Sequence, residues 1–322
     1  MSDPNIRSAV FLDLDSIDQD DLDLSKLNAV VDSWQWHGLV KEGGLDEVLT
    51  GADVVVSNKV LLTDERLSKA KHLKLVCIAA TGTNNIDLEA AARNNIAVCN
   101  VDGYATPSVV QHVFTLLLTL TTRFNEYTSA VKQGDWSRSK FFCLLDYPIR
   151  ELDGKTIGIV GYGHLGKAVA KVAEAFGMKV LLAKRNIEDT RPDRVALHDL
   201  LPQVDVLSLH CPLTEETRGM IGADEMSLMK KDAVLINTAR GGLVDEDALL
   251  DALKTQKIGG AGLDVLEKEP PPVGYPLLKD ELPNLIVTPH TAWASRESRQ
   301  RLIDEIALNI VAFKAGELRN AV

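Results

Sequence analysis

The sequence predicts an α/β protein of two doubly wound parallel-sheet domains, and three observations carry that expectation. Its 322 residues suit two domains at roughly 150 residues each. Short β-branched runs alternate with polar or helical-period stretches, the rhythm of parallel strands joined by crossover helices. A glycine-rich turn, Gly161-Tyr162-Gly163-His164-Leu165-Gly166, stands between a strand-like run and a helical one.

The first hundred residues supply four strands: Ala9 to Leu12, Asp53 to Val56, Leu73 to Ala80 and Ile96 to Cys99. Trp34 and Trp36 alternate on a further strand-like segment, where partial burial is expected. A helix should open with Thr106 as N-cap and Pro107 at its first position. It stays apolar almost all round to Leu120, which predicts burial. Residues 134–150 have no clean period yet hold Trp136, Phe141, Phe142 and Tyr147, the mark of a functional loop. From Thr156 six strands follow: Thr156 to Val160, Lys179 to Ala183, Asp205 to Leu209, Ala233 to Asn237, Gly260 to Val265 and Leu285 to Thr288. Six is the count of a complete dinucleotide-binding sheet. The helical tail Arg296 to Ala315 follows a finished sheet, so it should return to the N-terminal domain. That predicts a discontinuous N-terminal domain, 1–101 with 294–322, and a dinucleotide-binding domain, 102–293.

Composition narrows the function classes. Hydrophobic residues at 45% and charged ones at 25% exclude a disordered or disulfide-stapled chain. With 35 Lys+Arg against 46 Asp+Glu the net charge is −11, which disfavours nucleic-acid and membrane partners. Cys77, Cys99, Cys143 and Cys211 read as buried, reduced thiols. The start, Met1 to Arg7, has no basic segment followed by an apolar one, and no run reaches 18 apolar residues. A cytoplasmic protein is expected. No metal site is expected either, for zinc-type Cys pairs and H-E-x-x-H are lacking. The acidic run Asp13 to Asp23 lacks the Gly and closing Glu of a calcium loop, and reads as solvated.

The chemistry begins at the glycine turn. Gly161 permits the tight turn, Gly163 lets a pyrophosphate approach the backbone, and Gly166 lets helix and strand pack closely, with the helix N-terminus facing the anion. At the end of the next strand, where an NAD-binding protein usually carries an acidic residue, stand Lys184 and Arg185. Two cations suit a 2′-phosphate, so NADP(H) is preferred and NAD(H) possible. Arg240, Glu269 and His290 stand at or just beyond predicted strand ends, where ligands bind in open parallel sheets. Each alone is unremarkable: a surface cation, a solvated turn acid, a satisfied histidine. Together they match what reduction of a 2-oxo acid needs. A cation holds the carboxylate, an acid protonates the ketone oxygen as hydride arrives, and a carboxylate keeps that acid charged.

Several stretches then carry a resemblance: Ala80-Thr-Gly-Thr-Asn-Asn-Ile-Asp87, the glycine turn, Ser208-Leu-His-Cys-Pro-Leu213, Leu235-Ile-Asn-Thr-Ala-Arg-Gly-Gly242, Gly262-Leu-Asp-Val-Leu-Glu267, Glu269-Pro270 and Thr288-Pro-His-Thr291. On these the chain resembles the D-2-hydroxyacid dehydrogenases, most of all the glycerate dehydrogenase/hydroxypyruvate reductase group. The resemblance implies a flavodoxin-like substrate domain and a Rossmann cofactor domain. It implies that Arg240 binds the substrate carboxylate and carbonyl, that His290 is the acid/base, and that Glu269 pairs with it. Backbone amides at Thr81 and Gly82 would help hold the carboxylate. The cofactor would meet the glycine turn, Lys184, Arg185, His210, Pro212, Thr238, Ala239 and, at its nicotinamide carboxamide, Asp264. The implied reaction is NAD(P)H-dependent reduction of hydroxypyruvate or glyoxylate to D-glycerate or glycolate. A homodimer is implied too, its arm formed by the helix from Pro107 and the aromatic loop. The end at Val322 counts against a long-form phosphoglycerate dehydrogenase. The alternatives are a dinucleotide-sensing, corepressor-like binding protein and a short phosphoglycerate or D-lactate dehydrogenase.

Overall fold

A computed structural model describes residues 6–322 except Ile187 and Asp280. The chain forms two compact units, one running to Ala105 and resuming at Trp293–Val322, the other Thr106–Ala292.

In the first unit the strands are β1 (Ser8–Phe11), β2 (Ser33–Trp36), β3 (Val54–Ser57), β4 (Leu75–Ile78) and β5 (Ala97–Cys99). They run parallel in the order β2-β1-β3-β4-β5, the flavodoxin-like arrangement. β3 and β4 are buried at every position, which is why they read as continuous apolar runs. Edge strand β2 half-buries Trp34 and Trp36, whose rings stack at 4.5 Å. The tail helix Arg296–Lys314, capped by the Ser295 side chain, buries Leu302, Ile303, Ile306 and Ile310 among Phe11, Val54, Val56 and Leu75. The chain end then pairs with β5, Asn100 N donating to Asn320 O and Val322 N to Val98 O.

Two expectations need correction here. The acidic run is not simply solvated: Asp13 is 1% exposed, its carboxylate accepting the Asn58, Lys59 and Val60 amides, and burial raises its pKa. Farther along, Asp21 takes both Arg299 Nη atoms at 2.7 and 2.8 Å. Nor are all four thiols buried. Cys77 and Cys99 face each other in register inside the sheet, but Cys143 and Cys211 are half-buried.

In the second unit the strands are β6 (Thr156–Val160), β7 (Lys179–Ala183), β8 (Arg194–Val195), β9 (Val206–Leu209), β10 (Val234–Asn237), β11 (Gly260–Leu263) and β12 (Leu285–Val287). All are parallel, in the order β12-β11-β10-β9-β6-β7-β8. This is a Rossmann sheet with one strand beyond the expected six, since β8 has two residues and leaves no periodic trace. The order reverses between β6 and β9, so the crevice beyond their carboxyl ends is the ligand site of such a sheet.

The Thr106–Thr122 helix includes Thr106 rather than being capped by it, and buries Val109, Val113, Leu116, Leu117 and Leu120. Residues 134–150 open with a helical turn, Asp135–Arg138, before the chain becomes irregular. There Phe141, Phe142 and Leu145 are 76%, 90% and 84% exposed, while Trp136 Nε1 donates to the Phe142 carbonyl. Among the described residues no helix is long and apolar enough to cross a membrane, and no cluster of His, Cys, Asp and Glu could hold a metal ion.

Candidate active site

The expected site residues of the second unit stand beyond the carboxyl ends of its strands. After β6, Gly161 turns the chain with φ 92°, and a Cβ there would meet the Cys211 amide at 2.6 Å. Gly163, the N-cap of the His164–Ala175 helix, faces open space instead, with nothing within 4 Å of an added Cβ. Gly166 packs on the Gly161 carbonyl, so the first turn of the helix is drawn against the strand. His164 is exposed, and Leu165 is half-buried in the first helical turn.

After β9, the His210 ring contacts Ser208 Oγ through Nε2 at 2.9 Å, and burial pushes its pKa down to about 4, so it is neutral. Its Nδ1 and the Thr238 Oγ1 beyond β10 are buried without a partner among the described residues. Buried polar atoms are normally satisfied, so two orphans at one sheet edge point to a polar ligand there. Together with the open face of Gly163, they fit a bound dinucleotide. Pro212 is exposed, its carbonyl accepting from Thr217 Oγ1.

Arg240 is placed by Asn237, whose side chain ties both ends of the turn after β10: Oδ1 accepts from the Ala239 amide and Nδ2 donates to the Arg240 carbonyl. A Cβ on the next residue, Gly241, would lie 1.9 Å from the Leu266 carbonyl carbon, so only glycine lets this turn meet the loop carrying Glu269. The Arg240 guanidinium spends one bond on the Ala239 carbonyl and makes no ion pair among the described residues. Its fork stays available for a planar anion.

His290 Nδ1 lies 2.7 Å from Glu269 Oε2, and Glu269 Oε1 accepts the Leu266 amide at 2.9 Å. The carboxylate is thus fixed by backbone before it meets the ring, and both side chains are about one-third exposed. The register pairs Asn237, Leu263 and Val287 across β10, β11 and β12, so Arg240 and His290 each lie three residues past an aligned position, flanking β11. His290 adopts φ 55°, a left-handed conformation that costs an ordinary residue roughly 1–2 kcal/mol. Asp264 offsets that cost. Its carboxylate, 1% exposed, accepts the Thr291 and Ala292 amides and the Thr288 hydroxyl, and its carbonyl accepts the His290 amide.

This region answers to a known family. The model of the "D-isomer specific 2-hydroxyacid dehydrogenase, NAD binding domain" matches residues 114–292, more than half of the chain and all of the strands just described. The chain belongs to the D-2-hydroxyacid dehydrogenase family. It is 45% identical over 316 residues to the glycerate dehydrogenase of Methylorubrum extorquens, covering 98% of this chain and 99% of that one. It is 39% identical to the hydroxypyruvate reductase of Blautia hydrogenotrophica, over 86% of this chain and 88% of that one. Among solved structures, the TT0316 protein of Thermus thermophilus superposes with a TM-score of 0.83 at 33% identity, covering 98% of this chain and 99% of its own.

For a D-2-hydroxyacid dehydrogenase, the structure adds residues that sequence reasoning missed. Beyond β7, where no carboxylate was expected near Lys184 and Arg185, Asp189 accepts the Arg185 amide at 2.9 Å and both Nε and Nη2 of Arg191. Those bonds hold its carboxyl well below the usual range. Arg194, in β8, lies over the Tyr162 ring at 4.8 Å, giving the second residue of the glycine turn a cationic lid. Asn237 was visible only as part of a motif, and the turn-closing bonds of its side chain follow from the fold. In the first unit, Thr81 and Gly82 follow β4, and among the described residues neither amide donates to a protein acceptor.

Proposed function

We propose that this D-2-hydroxyacid dehydrogenase reduces hydroxypyruvate or glyoxylate to the D-2-hydroxy acid and prefers NADPH. The observation that carries the reading is the 2.7 Å pair of His290 and Glu269 across β11 from an Arg240 without an ion-pair partner among the described residues. When bound, the dinucleotide supplies the hydride. The Arg240 fork grips the substrate carboxylate and carbonyl. His290, as imidazolium, donates Nδ1–H to Glu269 and keeps Nε2–H for the ketone oxygen. As hydride adds at the carbonyl carbon, that proton passes to the oxygen. The imidazolium becomes neutral and the product leaves as a hydroxyl, so charge and protons balance. Substrate size follows the glycerate dehydrogenase and hydroxypyruvate reductase among the relatives.

For the cofactor, Gly163 and the first amides of its helix suit the pyrophosphate, and Thr238 and His210 offer the orphaned polar atoms. Asp264 has taken three donors of about four it can accept, leaving capacity for the carboxamide. Lys184 and Arg185 support a 2′-phosphate, and the negative charge of Asp189 is already matched by Arg191. Absorbance at 340 nm over a panel of 2-oxo acids, with NADPH and with NADH, tests the reading. Turnover confined to larger 2-oxo acids sinks the substrate, and faster turnover with NADH sinks the cofactor preference.

The exposed Phe141, Phe142 and Leu145 support a homodimer that covers them, as contiguous apolar surface on a monomer is unfavourable. Sedimentation equilibrium distinguishes a 35.1 kDa species from one of twice that mass. Free thiols at all four cysteines support a reducing, cytoplasmic setting.

A further inference from the structure

We propose that one face of the Thr106–Thr122 helix is a two-point clamp on the segment bearing His290, with His112 and Ser108 as positioning residues. The proposal rests on the reading of His290 as the acid/base. β12 is the edge strand of its sheet and has three residues, so among the described residues the segment 288–292 leaves it with no strand on its outer side. It must still hold His290 in a left-handed conformation. Asp264 secures this segment from β11, as described. The helix secures it a second time.

Ser108 and His112 are four residues apart and share one helix face. Ser108 Oγ donates to the Ala292 carbonyl at 2.6 Å, and His112 Nε2 stands 2.8 Å from Thr288 Oγ1. Thr288 and Ala292 are likewise four residues apart, with His290 midway between them. The proton count fixes the direction of the second bond. The Thr288 hydroxyl has one hydrogen, committed to Asp264 Oδ1 at 2.6 Å, so toward His112 it accepts. His112 therefore carries its proton on Nε2, and the relay runs His112 to Thr288 to Asp264. Nε2 also lies 3.4 Å from Asp264 Oδ1, so the imidazole supports the hub that anchors the Thr291 and Ala292 amides. Without the clamp, Thr288 can turn its hydroxyl elsewhere, and the His290 ring drifts relative to Glu269. A displacement near 1 Å at a reacting group costs on the order of 10²-fold in rate.

The test compares His112→Leu, His112→Gln, Thr288→Val and the double variant His112→Leu/Thr288→Val. His112→Leu should lower kcat for 2-oxo acid reduction by roughly 10- to 100-fold. The NADPH dissociation constant, read by fluorescence, should stay unchanged. His112→Gln, whose amide offers a donor near the Nε2 position, should recover most of the loss. The double variant should be no worse than the poorer single one, because both break one relay. The proton shared by His290 Nδ1 and Glu269 should move or broaden in the NMR spectrum of His112→Leu and return in His112→Gln. Wild-type kcat and an unmoved resonance in His112→Leu overturn the clamp. A loss that Gln does not restore, accompanied by weaker NADPH binding, also overturns it, because it reports helix packing instead. If His112→Leu does not fold, Ser108→Ala and Thr288→Val carry the same comparison. His290→Ala separates the two ideas: retained turnover there removes the acid/base reading itself, whereas a dead His290→Ala with a fully active His112→Leu removes only the clamp.

Discussion

Glu269 presents its two carboxylate oxygens to different partners, Oε1 to the Leu266 amide at 2.9 Å and Oε2 to His290 Nδ1 at 2.7 Å. The first bond orients the carboxylate and the second orients the ring, the arrangement that the proposed acid/base role of His290 needs.

Replacing His290 by Ala should lower kcat by on the order of 10²–10⁴ with little change in cofactor affinity, the span usual for a positioned acid or base. Stopped-flow turnover and fluorescence titration check the two halves separately.

Glu269→Gln keeps the Leu266 contact but removes the negative charge facing the ring. The ring then loses the carboxylate that orients it, so kcat for ketone reduction should fall by at least about tenfold, with KM changed less. A kcat equal to that of the wild type breaks the pairing.

Arg240→Lys keeps a cation beside the Asn237-tied turn but loses the planar fork, and kcat/KM for the 2-oxo acid should fall by at least about tenfold. An unaltered kcat/KM removes Arg240 from substrate binding.

Exchanging Lys184 for Asp together with Arg185 for Ala should shift the kcat/KM ratio from NADPH toward NADH. The swap sets an acid where the 2′-phosphate is proposed to lie, close to an Asp189 already neutralised by Arg191. If the unmodified protein already favours NADH, the basis of the exchange is gone.

His210 governs an acid-side loss of stability. Its native pKa is pushed down to about 4, below the roughly 6.5 of an unfolded histidine. Between those values the unfolded chain binds a proton that the native state refuses, so stability present above the upper value is lost as pH falls toward the lower. The urea midpoint of the wild type should therefore drop more than that of His210→Gln between about pH 7.5 and about pH 5. Equal drops would show that native His210 takes the proton as readily as the unfolded chain.

Local chemistry made much of this molecule legible in the sequence. Near-continuous apolar runs rich in valine and leucine announced strands buried on both faces, as β3, β4, β9 and β10 are. The spacing of Gly161, Gly163 and Gly166 marked a strand-turn-helix junction because each glycine answers a local steric demand. Arg240, Glu269 and His290 stood out because parallel strands deliver their trailing residues to one edge. What the sequence could not carry was anything set by two distant segments meeting. Asp13 reads as one of a solvated acidic run, yet it is buried beneath three amides some 45 residues away. β8 is too short to have a period and exists because β7 offers it an edge. Asp189 becomes a neighbour of Arg185 only when the loop folds back, and Asp264 becomes a hub only when β12 lies beside β11. Ser108 and His112 face Ala292 and Thr288 across more than 170 residues of chain. Periodicity and turn chemistry report interactions within a few residues, whereas a hydrogen bond between segments far apart in the chain depends on where packing brings them, and that is decided by the tertiary fold alone.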